Sequence, residues 1–171
     1  MNQVSSFELQ LEGLLPRLRR FAHALSRDRA DADDLLQSSV ERALRARTKW
    51  LAGTRLDSWL YTIVRNQWID TVRARARRSK HLVALDEVEG LGEDPRSAMD
   101  ASIELKRMMA LMQQLPEEQR EVVALILIEG FGYREAAEIL DVPIGTVSSR
   151  LVRGRNALLR LAETNMGGDK Q

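Results

Sequence analysis

The chain has 171 residues, 44% hydrophobic and 30% charged, enough to bury one ordinary core or two small ones beneath a well-solvated surface. It has no cysteine and only two histidines, His23 and His81, far apart in the sequence, which excludes disulfides, thiolate zinc sites, cysteine nucleophiles and a histidine-rich metal site. The net charge of +1 conceals segregation: six basic residues (Arg65, Arg73, Arg75, Arg77, Arg78, Lys80) stand against Asp70 over 63–81, an acidic stretch follows over 82–104, and 145–160 hold four arginines and no acid. Such blocks read either as two polyanion-facing surfaces with a linker between them or as solvated helix faces.

In chain order, Phe7, Leu11, Leu14, Leu18, Phe21 and Leu25 recur at steps of three and four and predict an amphipathic helix. His23 within it reads as a partly buried helix residue. After a polar break over 26–30, a second helix has Leu35, Leu36, Val40, Ala43 and Leu44 on its inner face, and Asp33, Asp34, Gln37, Ser38, Glu41 and Arg42 on the other. Residues 47–55, with Gly53, read as a loop. A third helix over about 57–77 offers Leu60, Ile63, Val64 and Val72 to a core, so three helices with short connections predict a small bundle.

Residues 79–97 carry acids with Gly90, Gly92 and Pro95 and no apolar period, the signature of a linker. Helical spacing resumes near Met99 and runs to Gln114, with Met99, Met108, Met109 and Met112 as expected core fillers. Pro116, Glu117 and Glu118 suit the first turn of a further helix that ends near Gly130. The longest apolar run, 122–128, is seven residues, too short to span a bilayer, and the N-terminal residues show no signal-peptide pattern, so a cytoplasmic protein is expected.

The last third holds the most specific pattern. A short helix over 133–140 is followed by the turn Asp141-Val142-Pro143 and a longer helix over about 144–162. The long helix has Val147, Leu151, Gly154, Leu158 and Leu161 inside and Thr146, Ser149, Arg150, Arg153 and Arg160 outside. That is a helix-turn-helix pattern whose second helix suits a major groove, where arginine binds guanine O6 and N7 with two hydrogen bonds; the plainer reading is a helical hairpin.

The order of these segments resembles the extracytoplasmic-function (ECF) sigma factors of the sigma-70 superfamily. The resemblance is carried by 15–22 (LPRLRRFA), 31–37 (DADDLLQ), 57–66 (DSWLYTIVRN), 115–122 (LPEEQREV), 133–140 (YREAAEIL) and 142–150 (VPIGTVSSR). It implies an all-α fold of two small helical domains joined by an acidic flexible linker: region 2 over 1–78, linker 79–98, region 4 with the helix-turn-helix over 99–165, and a tail over 166–171. It further implies that the second helix docks on core RNA polymerase through Asp33, Asp34, Gln37, Ser38 and Glu41. The loop over 47–55 and the third helix would hold the melted −10 element through Trp50, Tyr61, Arg65, Asn66, Asp70, Arg73 and Arg77, and the last helix would read the −35 element through Thr146, Ser149, Arg150 and Arg153. Partners implied are core polymerase, promoter DNA and an anti-sigma factor, with no catalytic residues, cofactor, metal or membrane insertion.

Physical reasoning points the same way for the first half. A protein that holds opened DNA needs aromatic and basic groups together. Trp50, Trp59, Tyr61 and Trp68 fall close together in a chain with eight aromatics, followed by the arginines of 73–78. Among them Trp59 reads as core, and Trp50, in a polar loop, as the functional aromatic. The chain departs from the family at Ser148, where a basic or long polar residue is common, at Val152, often aromatic, and at Gly132, which replaces the usual serine cap. The competing reading is a DNA-binding regulator with a sensing N-terminal domain, but no strand pattern of a receiver domain is present. A final expectation is that the free protein is kept quiet either by the acidic segment shading the basic helix or by the two domains packing together.

Overall fold

The computed structural model describes residues 3–81 and 103–167; the acidic stretch from 82 to 102, with most of the expected linker, lies outside the described residues. Among the described residues the fold is all-helical. Helices α1 (Gln3–Leu25), α2 (Arg29–Arg45) and α3 (Leu56–His81) form the first lobe. Helices α4 (Ile103–Met112), α5 (Glu117–Val123), α6 (Tyr133–Leu140) and α7 (Ile144–Gly167) form the second. No helix among the described residues is long and apolar enough to cross a membrane.

Local chemistry sets the boundaries. Ser26 is buried at the α1–α2 corner, and its hydroxyl donates to the Asp28 carbonyl. The Asp28 carboxylate accepts the Asp31 amide and so starts α2 at Arg29, two residues before the sequence places it. Residues 79–81, assigned to the linker from sequence, continue α3 for a further turn, with the Ser79 hydroxyl donating to the Ala76 carbonyl. Between Val123 and Glu129 the helix widens into one π turn, Ala124–Ile128, closed by the Glu129 amide donating to the Ala124 carbonyl at 3.0 Å.

The expected core stripes are present. Phe7, Leu11, Leu18, Phe21 and Leu25 of α1 pack with Leu35, Leu36 and Ala43 of α2 and with Leu60 and Val64 of α3. Leu44, at the C-terminal end of α2, and Met108, in the middle of α4, were expected inside and are exposed. In the second lobe Val147, Leu151 and Leu158 of α7 are buried with Met112, Leu115, Val122, Leu125, Ile139 and Leu140. Gly154 lets α7 approach α5, since a Cβ there would lie 2.8 Å from Val123 Cγ2 and 3.3 Å from Gln119 Cβ. The lobes also pack on each other: the rings of Tyr61 and Phe131 meet edge to face with centroids 4.7 Å apart.

Candidate polymerase and nucleic-acid surfaces

On α2 the sequence-predicted polar face is outward. Asp33, Asp34, Gln37 and Glu41 are exposed, while Ser38 is half-buried and spends its hydroxyl on the Leu35 carbonyl. Glu41 pairs with Arg45 at 3.0 Å, and Asp33 lies 3.8 Å from Arg19 and 3.9 Å from His23. His23 is half-buried as expected, and burial pulls its imidazole below the ordinary value, against the pull of Asp33. Asp34 has no ion pair within 4.0 Å among the described residues. An exposed carboxylate with no internal partner is free for an external one.

The candidates around α3 divide sharply. Asn66, near the middle of α3, and Asp70, Arg73 and Arg77, on its C-terminal half, are exposed. Tyr61 is fully buried, and its hydroxyl donates to Glu129 Oε2 at 2.6 Å; burial, then that bond, pushes its pKa up. In this arrangement it is a core residue with a polar tip and is not open to a DNA base. Trp50 is half-buried with its ring 5.8 Å from Phe7, and its buried indole N–H lacks a partner. The 3₁₀ turn Arg47–Lys49 folds it back onto the core, so the polar loop around it was a poor guide. Trp59 also lies against Phe7, at 6.3 Å, consistent with a packing role. Arg65 is half-buried, 3.9 Å from Glu121, and Trp68 is buried with its indole N–H donating to Glu117.

The turn from α6 to α7 has the geometry the sequence predicts. Asp141 takes the left-handed conformation at φ 51°, which a short polar side chain tolerates, and its amide bonds back to Ala137 and Glu138 carbonyls. The missing serine cap at Gly132 is partly made good by the Glu135 carboxylate, which accepts the Gly132 amide at 2.9 Å. On α7, Ser149 and Arg153 are exposed and Thr146 is half-buried. The Ser149 hydroxyl donates to the Thr146 carbonyl, and Arg153 Nε donates to the Ser149 carbonyl, so the side chains lie along one face. Arg150 departs from expectation: its side chain is only 15% exposed and pairs with Glu118 at 3.0 Å, which holds it against α5.

Sequence reasoning missed the acids that join the lobes. Glu129 is buried and accepts from Arg20 Nε at 2.7 Å, Arg20 Nη2 at 3.0 Å and Arg17 Nε at 3.3 Å, while Arg17 Nη2 donates to its carbonyl at 2.8 Å. The Glu129 bond raises the Arg20 pKa. Arg55 pairs with Asp57 and with Glu135. Glu121 is buried, and its carboxyl is pushed up to about 7, chiefly by burial. The one available sequence signal was Glu129 itself, a carboxylate directly after the seven-residue apolar run.

The two lobes thus combine a helical bundle bearing an outward acidic helix with a helix-turn-helix, the architecture of a promoter-recognition factor. Comparison with known proteins agrees. Residues 11–78 match the family Sigma-70 region 2, and residues 105–158 match Sigma-70, region 4. The ECF RNA polymerase sigma factor EcfG of Rhodopseudomonas palustris is 34% identical over 152 residues, covering 86% of this chain and 80% of that protein. The ECF RNA polymerase sigma factor SigE of Mycolicibacterium smegmatis is 35% identical over 149 residues, covering 83% of this chain and 56% of that longer protein. A solved structure of the sigma factor RpoE in complex with the anti-sigma factor NepR, from Bartonella quintana, superposes with a TM-score of 0.81 at 34% identity, covering 94% of this chain and 98% of that one. The chain belongs to the ECF sigma factors of the sigma-70 family.

Proposed function

We propose that this protein is a cytoplasmic, non-catalytic initiation factor that carries core RNA polymerase to particular promoters and helps to open them. Its domains are region 2 over 1–78 and region 4 over 99–165, joined through 79–98. The observation that carries the reading is the pairing of an outward, unpartnered acid on α2 with an exposed serine–arginine face on a helix-turn-helix in one chain. The chemistry needed is binding at two sites. The packing of the two lobes supports a resting state, and the similar RpoE was solved bound to an anti-sigma factor, which favours control of this chain by such a partner. Run-off transcription with core polymerase on genomic DNA tests the reading directly: the expected result is discrete new start sites, and their absence overturns it.

Two substitutions test its parts. Asp34→Arg lies on the exposed face of α2, so melting should change by no more than about 0.5 kcal/mol, while binding to core polymerase falls sharply. Affinity equal to the parent would remove α2 as the docking surface. Arg153→Ala, on the outward face of α7, should cost about 1–3 kcal/mol and relax preference at one base pair of the −35 element if the guanidinium reads a guanine. A loss uniform across sequences, with a salt slope smaller by about one, would instead mark a phosphate contact.

A further inference from the structure

Near the α1–α2 corner a cavity of about 300 Å³, at the small end of ligand pockets, opens beside the start of α5. Its wall carries three arginines, Arg27, Arg75 and Arg120, and three acids, Asp28, Asp31 and Glu117. The acids are already engaged. Asp31 takes both terminal nitrogens of Arg75, at 2.6 and 2.7 Å. Asp28 caps α2, and Glu117 accepts the Trp68 indole N–H. The other two arginines have no such partner. Arg120 is only 3% exposed, yet its Nε is buried without an acceptor, and its Nη1 reaches only oxygens of Gln113, at 3.4 and 3.5 Å. Arg27 is exposed and has neither a hydrogen bond nor an ion pair among the described residues. Burial lowers the Arg120 pKa; Glu117 pulls it back, and the Arg27 charge lowers it further. Two guanidiniums thus repel each other beside a cavity, one of them buried without the counterion that such a charge normally has.

We infer that this cavity is a binding site for a small phosphate-bearing anion with a flat ring, of the class of nucleoside monophosphates. The phosphate is held by Arg27 and Arg120, whose forked N–H groups match its oxygens and whose mutual repulsion it relieves. Leu115, Pro116 and the indole of Trp68 give the ring an apolar wall, which suits a base and does nothing for a bare ion. With three acids in the same wall, a longer polyphosphate chain would meet carboxylates, and this selects the monophosphate. No lining residue is among those read as docking on polymerase or holding promoter DNA, so the site stands or falls independently of that reading. Because both lobes line the cavity, the ligand binds the packed chain and not the open one, and by mass action it raises the melting temperature.

The test titrates the full chain with adenosine 5′-monophosphate (AMP), inorganic phosphate and ATP, by calorimetry and by melting. AMP should bind saturably at one site and raise the melting temperature, and phosphate and ATP should bind more weakly. Arg120→Gln should abolish AMP binding. That side chain is buried and its loss can disturb folding, so Arg27→Ala is the second variant. Arg27 is exposed, so the unliganded variant should melt as the parent does, while its affinity for AMP falls at least about tenfold with the loss of a charged hydrogen-bond donor. Arg134→Ala, an exposed arginine outside the cavity, should bind AMP like the parent. The proposal is overturned by the absence of saturable AMP binding, or by AMP binding no more tightly than phosphate or ATP. It is equally overturned if AMP affinity is unchanged in Arg27→Ala, or if it falls as far in Arg134→Ala, since the nucleotide would then be held by the general basic surface of the chain.

Discussion

Glu129→Ala is expected to lower the stability of the packed chain by about 3 kcal/mol, at the low end of what breaking a buried ion pair costs. The carboxylate is the common acceptor of Arg17, Arg20 and the Tyr61 hydroxyl, and its side chain has no exposure. Removing it strands a buried phenol and leaves two guanidiniums facing each other. The arginine side chains are each 35% exposed and can turn partly to water, which keeps the loss from reaching the upper end near 5 kcal/mol. For a chain of this size the loss corresponds to a fall in melting temperature of about 6–12 °C. Calorimetry checks it, with a second signature: the two lobes, no longer coupled, should melt in separate transitions. Glu129→Gln keeps an acceptor for Tyr61 and should lie between parent and alanine. A melting curve unchanged in Glu129→Ala would mean that this junction does not hold the lobes together in solution.

How much of this was legible in the sequence depends on the distance over which the pairing acts. The helix-turn-helix was readable because Val147, Leu151, Gly154 and Leu158 repeat at helical steps on one face and a short turn fixes the neighbour; those four positions are buried as expected. The α2 face was readable for the same reason. Helix α3 was harder, because it is covered from two directions. Val64 and Leu60 face α1 and α2, while Tyr61 and Trp68 are covered from the other lobe, so no single apolar stripe separates core from surface. A polar-looking side of α3 hid two aromatics whose polar atoms find glutamates.

Beyond the placing of Glu129 after an apolar run, the ion pairs across the lobes carry no local signal. Arg17 and Glu129 are 112 residues apart, and sequence alone offers no means of matching one arginine among many to one acid. Arg150 illustrates the same gap at shorter range. Helical spacing placed it on the outer face of α7, but its side chain is only 15% exposed and pairs with Glu118 of α5, tertiary packing that helical spacing does not encode. The expectation that the domains pack together was met by contacts in the described residues, whereas its alternative, shading by the acidic segment, falls on residues outside them.

The packing of the lobes should also respond to pH through Glu121, in the direction opposite to that of an ordinary salt-bridged carboxylate. The side chain is 6% exposed and 3.9 Å from Arg65 Nε, which itself has no hydrogen-bond partner. Burial pushes the carboxyl up to about 7 from its ordinary 4.5, with repulsion from Glu117 in the same direction; Arg65 on α3, Arg150 on α7 and Arg120 on α5 pull against it. The packed chain therefore holds a proton that the open chain has released. Its contribution to closure is fully present below about 4.5, declines as pH rises through about 7, and is gone above that, a change of about 3 kcal/mol. His23, whose pKa burial lowers, works the other way and is weakened by acid, so the parent alone gives a mixed profile. Glu121→Gln isolates the effect. Scattering or a distance probe between the lobes should show the parent opening from pH 6 to pH 8, while the glutamine variant stays closed across that range. A parent that is equally closed at both values, or a variant that opens as readily as the parent, would mean that Glu121 does not set the pH response of the packed state.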